Sequence, residues 1–513
     1  MTPAHTIVRN GLLVDAQRHR VEPRDIRIAG GRIVEIGPWG LPAPGDAAVV
    51  DASGRLMMPG LVNAHTHSHG NLPRSPGDKW TLELALHLNP SIRGNQTLED
   101  KYLSALLGAV EMLSKGCTAC YDLFYEFPAP SQEGLDAVAR AYRDAGIRAV
   151  VAPLMASQSF YRAIPGLLEA LPAEAREALA RGPGGDDDGA AALATARRTL
   201  DGWAFDRDRV RMALAPTIPL HCSDEFWRRA AGLARDHGVG LHTHLAESKV
   251  QAVAGMRRYG RTLTAHLDGL GVLGPDFTGA HGVWLDDEDM RRMAGAGATV
   301  AHNPASNMRY GSGLAAVRRM RDHGVTVGIG TDSRTCSDNL NMFEAMRLAS
   351  FTSRVRGPDY RRWLAADEVF AMATEGSARA LGFGDIGRIA PGALADIVFL
   401  DRRSLNYVPL NDPTLQIVNA EDGTGIHSVM VGGRMVVEAG RVTTVDIDRL
   451  IDRCEAAMER LRAANDGAHR MAKALEPVVG SFCAAMGAEP YHVHRFVDDG
   501  ERPRPEGCGH RHG

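Results

Sequence analysis

Pro59-Gly60-Leu61-Val62-Asn63-Ala64-His65-Thr66-His67 closes a short apolar run with two histidines one residue apart. Residues two apart on a strand point to the same face, so both imidazoles can reach one metal ion from a strand tip. Alone the pair is weak, because His67 and His69, His242 and His244, and His492 and His494 repeat the spacing. Its partners add weight. Leu241-His242-Thr243-His244-Leu245-Ala246-Glu247 ends a second apolar run in a histidine, with a carboxylate three residues beyond. Gly279-Ala280-His281-Gly282 follows Phe277, and Val327-Gly328-Ile329-Gly330-Thr331-Asp332-Ser333 runs into an aspartate. A buried carboxylate at a strand end is costly unless paired or ligated, and three histidines with one aspartate around a divalent cation would satisfy it.

Outward from these tips, apolar β-type runs alternate with helical-period segments over about 59–381. Examples are Ala149 to Ala152, Val210 to Leu214, Val239 to His244, Ala298 to His302 and Val325 to Gly330, with helices expected at Leu98–Ser114 and Asp224–His237. Metal-type residues recurring at strand after strand fit an α/β fold of the (β/α)₈ TIM type better than a doubly wound sheet, because a barrel converges its strand tips on one mouth. The flanks read differently. Asp25 to Ile36 breaks at Gly30-Gly31, and Ser428 to Val437 breaks at Gly432-Gly433, both hairpin signals between β-branched runs. Neither flank can enclose a core alone, so they are expected to pair into one small β-sandwich. The expected division is 1–58 and 386–445 for the sandwich, 59–385 for the barrel, and 446–513 for a helical extension with a polar tail. That extension reads as two helices, 447–464 and 467–486, packed outside the barrel. The tail carries Cys508, His510 and His512. The stretch 156–200 breaks the barrel rhythm around Gly182 to Gly189, and reads either as a lid over the mouth or as a surface loop.

Composition narrows the function classes. With 44% apolar and 23% charged residues the chain is an ordinary globular one, and 58 Lys+Arg against 62 Asp+Glu leave −4, too little charge of the wrong sign to capture nucleic acid. No run of about 20 apolar residues suggests a membrane span, and the start shows no export signal. Seven scattered cysteines argue against a disulfide framework and for a cytoplasmic home, and Cys117-Thr118-Ala119-Cys120, lacking a second pair, reads as structural.

With Ala301-His302-Asn303-Pro304-Ala305-Ser306-Asn307 added to these motifs, the sequence resembles the amidohydrolase superfamily over nearly its whole length. Within it, the chain is most similar to the cytosine-deaminase-like branch that holds S-adenosylhomocysteine deaminases, guanine deaminases and triazine hydrolases. The resemblance implies that His65, His67, His244 and Asp332 hold one divalent ion, and no lysine stands where a bridging second-metal ligand would be needed. Zinc suits so imidazole-rich a set, with iron or manganese as alternatives. Such an ion lowers the pKa of water toward about 7, giving a hydroxide able to attack a ring carbon that bears an amino group. Asp332 would take the water proton, Glu247 would protonate the ring nitrogen and then the departing ammonia, and His281 would hydrogen-bond the nucleophile or the developing oxyanion. Arg74, Glu83, His302 and Asn303 are the expected substrate contacts. The text Asn71 to Trp80 departs from the adenosine-type deaminases and weighs against a nucleoside. Asp338 and Asn339 are expected to position Asp332 or to cap the next helix.

The implied protein is therefore a hydrolase deaminating a small purine, pyrimidine or triazine, acting as a homo-oligomer, dimer or tetramer, without nucleic acid or membrane partners. Rival readings are displacement of chloride or alkylamine, opening of a cyclic amide, and a catalytically silent structural relative.

Overall fold

The computed structural model describes residues 5–127, 129–180 and 188–497, so Cys508, His510, His512 and residues 182–187 of the insert lie outside the described residues. Eight parallel strands form the centre: β1 (Leu61–Thr66), β2 (Cys117–Phe124), β3 (Arg148–Met155), β4 (Val210–Met212, continued by Ala215–Pro216), β5 (Leu241–Leu245), β6 (Phe277–His281), β7 (Thr299–His302) and β8 (Thr326–Ile329). They hydrogen-bond as two arcs, β1 to β4 and β5 to β8. Two parallel bridges, Leu214 with Leu241 and Thr66 with Asp332, close the arcs into a barrel. Every residue of β1, β2, β3, β5, β6 and β7 is buried, as expected for parallel strands covered on both faces.

A nine-stranded sheet draws on both flanks of the chain. Its order is Arg441–Val442, Arg434–Glu438, Ile426–Val431, Ile397–Asp401, Arg55–Pro59, His5–Asp15, Arg20–Ala29 and Arg32–Gly37, with Ala48–Asp51 beside His5–Asp15. The splice is the antiparallel pairing of Arg55–Pro59 with Ile397–Asp401, two residues before β1 begins. Val8, Ile26, Ile33, Met57, Ile397 and Phe399 pack into a core of its own. Both glycine pairs form tight turns with positive φ, 55° and 78° at Gly30 and Gly31, 55° and 77° at Gly432 and Gly433, as two-residue hairpin loops require. The two turns touch: a Cβ on Gly31 would lie 2.8 Å from the Gly432 carbonyl oxygen. Arg148 of β3 and Asp396, both buried, pair at 2.9 Å and tie barrel to sheet.

Helices α1 (Leu82–Arg93), α2 (Leu98–Ser114) and α3 (Asp224–His237) have the local signals that start and stop them. Thr97 and Asp100 form a reciprocal capping box at α2. Ser223 caps α3, and Gly238 ends it with φ 59°. The C-terminal expectation needs correction. One continuous helix, α4 (Ile447–Ala488), replaces the two expected there. Asn465, read as a break, is buried, and its amide donates to the carbonyls of Ile92 (3.1 Å) and Gly94 (2.9 Å) at the end of α1, so tertiary bonding overrides its weak helix propensity.

The 156–200 insert folds into short helices, Phe160–Ala163, Leu167–Ala170 and Ala173–Ala180, followed by Ala190–Asp201. The six described cysteines are free and buried, and burial pushes the Cys117 thiol up to about 12. Among the described residues no helix is long and apolar enough to cross a membrane.

Candidate metal centre and active site

The barrel brings one end of every strand to a single rim, and the histidine-bearing tips meet there. His65 and His67 leave β1, His244 leaves β5, His281 ends β6, and Asp332 follows β8. The bridge that closes the barrel also fixes Asp332, whose backbone N–H donates to the His65 carbonyl at 2.9 Å. Asp332 and His281 hold φ values of 59° and 71°, a left-handed backbone that non-glycine residues rarely adopt and that re-aims both side chains into the mouth. One candidate ligand atom each from His65, His67 and His244, and likewise from His65, His281 and Asp332, falls within 4.8 Å of the others.

Hydrogen bonds settle which ring nitrogens face inward. His67 Nδ1 donates to the Leu123 carbonyl and His244 Nδ1 to the Thr217 carbonyl, both at 2.7 Å. A carbonyl only accepts, so each Nδ1 carries the proton and each Nε2 is left as a lone pair. Those two Nε2 atoms stand 3.1 Å apart, and Asp332 Oδ1 is 3.3 Å from His67 Nε2. His65, fully buried, has no hydrogen-bond partner on either ring nitrogen, and its Nε2 lies 3.8 Å from Asp332 Oδ1. Acceptors crowded together without a donor repel one another, and a cation between them removes the conflict. The donor set fits a divalent ion on this ground alone. Burial and the neighbouring His67 push the proton affinity of His244 down to about 3, and burial with the same neighbour lowers that of His65, so both rings favour the neutral form that a metal ion takes. Burial alone would raise the Asp332 carboxyl, but His67, His65 and His281 outweigh it and hold the group well below the usual carboxylate range.

Glu247 behaves in the opposite way. Burial, then the charges of Asp332 and Glu83, push its carboxyl well above the ordinary value, which favours its protonated form. Its Oε2 lies 3.5 Å from His281 Nε2, and His281 Nε2 lies 3.8 Å from Asp332 Oδ2. His281 Nδ1 donates to Asn307 Oδ1 at 2.9 Å, which leaves Nε2 unprotonated on the side of Glu247 and Asp332. Two carboxyl groups whose proton affinities are pushed in opposite directions thus stand on either side of one imidazole.

A cavity of about 490 Å³ opens on this cluster, walled by His67, His244, Glu247 and Asp332 on one side. Phe160, Tyr161 and Ala192 of the insert form part of the wall, so described residues of the 156–200 stretch border the cavity. The expected substrate contacts fare less well. Arg74 is exposed and its Nε donates to the Asp338 carbonyl at 2.8 Å, away from the cavity, because residues 71–80 turn outward before α1. Glu83 is buried, does not line the cavity wall, and accepts from Ser248 Oγ at 2.6 Å. His302 is buried, with both ring nitrogens unpartnered and its proton affinity pushed down to about 3 by burial, and it too lies off the wall. Asn303 Nδ2 is 3.4 Å from His281 Nδ1, a supporting position rather than a substrate-facing one. Asp338 pairs with Arg309 at 3.1 Å, and Asn341, not Asn339, caps the next helix. The sequence reading missed Arg93, His87 and Thr335 on the wall. Their only signal is a place on or beside elements that turn out to flank the mouth.

The family model described as the amidohydrolase family matches residues 56–436. A 5'-deoxyadenosine deaminase from Methanothermobacter thermautotrophicus is 34% identical over 426 residues, 82% of this chain and 91% of the relative. Among solved structures, an adenosine deaminase from Xanthomonas campestris with bound zinc is 26% identical, with a TM-score of 0.78 covering 90% of this chain and 99% of that one. A triazine hydrolase from Arthrobacter aurescens is also 26% identical, with a TM-score of 0.79 covering 89% and 100%.

Proposed function

The chain belongs to the amidohydrolase family, and on that premise we propose that it is a metal-dependent hydrolytic deaminase of a small amino-substituted nitrogen heterocycle. The observation that carries this reading is the set of acceptors around His67 and His244, Nε2 against Nε2 at 3.1 Å, beside a buried carboxyl group whose proton affinity is raised. His65, His67, His244 and Asp332 would hold the ion. The imidazole-rich set and the zinc of the Xanthomonas campestris structure support zinc, and iron or manganese fit the same donors. A divalent ion there supplies an acidified water, with a pKa near about 7, as the nucleophile.

The remaining steps belong to the chain. His281, unprotonated at Nε2, accepts a hydrogen bond from the water and holds it against the ring carbon. Asp332, an ionised carboxylate, takes the water proton. Glu247, in its protonated form, delivers its proton to the ring nitrogen beside the attacked carbon, takes the hydroxyl proton as the carbonyl forms and passes it to the amino group, so that ammonia leaves rather than amide ion; the water proton held by Asp332 then restores Glu247. The name of the Methanothermobacter relative supports an aminopurine-type ring.

Similarity to a triazine hydrolase favours a second reading, loss of chloride or alkylamine from the same site. Glu247 separates the two, since ammonia departs only when protonated and chloride needs no proton. The test is ammonia detection with the zinc-loaded protein on a panel of amino-heterocycles, run beside halogenated and N-alkylated analogues. Ammonia release that stops on chelation is expected. Release of chloride or alkylamine without ammonia would overturn the deaminase reading.

A further inference from the structure

The charged side chains on the described cavity wall are Arg93, Glu126, Glu247 and Asp332. Glu126 is fully engaged, by Lys101 and by the backbone N–H and hydroxyl of Ser131, each at 2.7 Å in the serine case. Asp332 and Glu247 belong to the cluster described above. Arg93 is left over. It stands in the last turn of α1, where its charge suits the helix end, but its side chain turns into the cavity. Nη2 donates to Thr335 Oγ1 at 2.8 Å, Nε is buried without a partner, and no described carboxylate pairs with the guanidinium.

Its position relative to the chemistry is fixed by a short relay of hydrogen bonds. Thr335 Oγ1 lies 2.9 Å from Ser333 Oγ, and the Ser333 backbone N–H donates to Asp332 Oδ1 at 2.8 Å. The guanidinium is thereby held on the same wall as the metal-ligating aspartate, three residues along, facing the space a ring would occupy. An arginine stays charged in any protein environment, so burying part of it without a counter-ion is unfavourable unless a ligand supplies one. Its planar fork matches a carboxylate or an ionised ring oxygen in two parallel hydrogen bonds.

We propose that Arg93 is the specificity-determining residue of this cavity and that the substrate ring carries an anionic group, a carboxylate or a ring oxyanion, which its guanidinium receives. The inference rests on the heterocycle reading of the site, and it narrows the substrate to an acidic member of that class.

Two probe pairs separate the sources of charge: cytosine against 5-carboxycytosine, and melamine against ammelide, which ionises on a ring oxygen in alkaline buffer. Calorimetric binding to the zinc-loaded wild type, R93K and R93M is measured alongside ammonia release and zinc content. The wild type is expected to bind the charged member of at least one pair about tenfold more tightly, R93K to keep part of that preference, and R93M to lose it. Equal wild-type affinity within both pairs, or a preference that survives R93M, overturns the proposal. Should R93M not fold, the wild-type comparison and its reduction in R93K decide. Ammonia release without any charge preference would sink this inference and spare the deaminase reading, whereas charge-dependent binding without ammonia would do the reverse.

Discussion

Replacing Glu247 by glutamine changes one oxygen to nitrogen in a side chain that is 1% exposed. The amide has the same shape, so the surrounding packing has no reason to move. It cannot deliver a proton to a ring nitrogen. General acid–base help of this kind is worth about 10²–10⁴ in rate, roughly 2.7–5.4 kcal/mol of barrier. His65, His67, His244 and Asp332 are untouched, so zinc content should stay at the wild-type level. The assay is ammonia release under single-turnover and steady-state conditions, with metal analysis on the same sample and a halogenated analogue in parallel. Turnover of the halogenated analogue should fall much less, since its leaving group needs no proton. An E247Q protein that retains more than about a tenth of wild-type kcat on an amino-heterocycle would refute the assignment of the acid, as would one that loses its zinc together with its activity.

Chelation should lower the melting temperature as well as abolish turnover, because it returns two lone pairs 3.1 Å apart to direct opposition, and calorimetry with and without added zinc would show an unchanged transition if the cluster holds no ion. Burial pushes the Asp289 carboxyl up to about 6, above its value in the unfolded chain. Its contribution to stability is therefore complete below about pH 4 and lost as pH rises through 6, so wild type should lose up to roughly 3 kcal/mol relative to D289N between those limits in urea titrations, and a flat difference would contradict the burial argument. Gly31→Ala forces a Cβ to 2.8 Å from the Gly432 carbonyl at φ 78°, and urea denaturation should register a loss of about 1–3 kcal/mol.

The metal cluster is legible in the sequence because each member ends a short apolar run, and a parallel barrel converts position at a strand end into position at one mouth. His65, His67, His244, His281 and Asp332 all share that grammar. Arg93 does not. Nothing in Asn89-Pro90-Ser91-Ile92-Arg93 distinguishes it from a surface arginine closing a helix; its meaning lies in its place on the cavity wall without a pairing carboxylate among the described residues, which only three-dimensional placement reveals. Arg74 illustrates the converse, a basic residue in the expected stretch of text that faces away from the cavity. The continuity of α4 was hidden for a related reason: the bonds that hold Asn465 in helical form come from α1, some 370 positions earlier. Local propensity reports on neighbours in the chain, whereas cavity walls are assembled from strangers.

His87 shows where that assembly leads. It lines the cavity, donates from Nε2 to the Ala472 carbonyl of α4 at 2.8 Å, and accepts at Nδ1 from the Tyr161 hydroxyl of the insert at 2.7 Å. One neutral imidazole is thus a rivet joining the outermost helix to the roof of the chamber. Sequence drift on the far flank of the molecule is transmitted to the shape of the opening, while the rim that performs the chemistry stays as it was. An enzyme built this way can change its diet from the periphery inward.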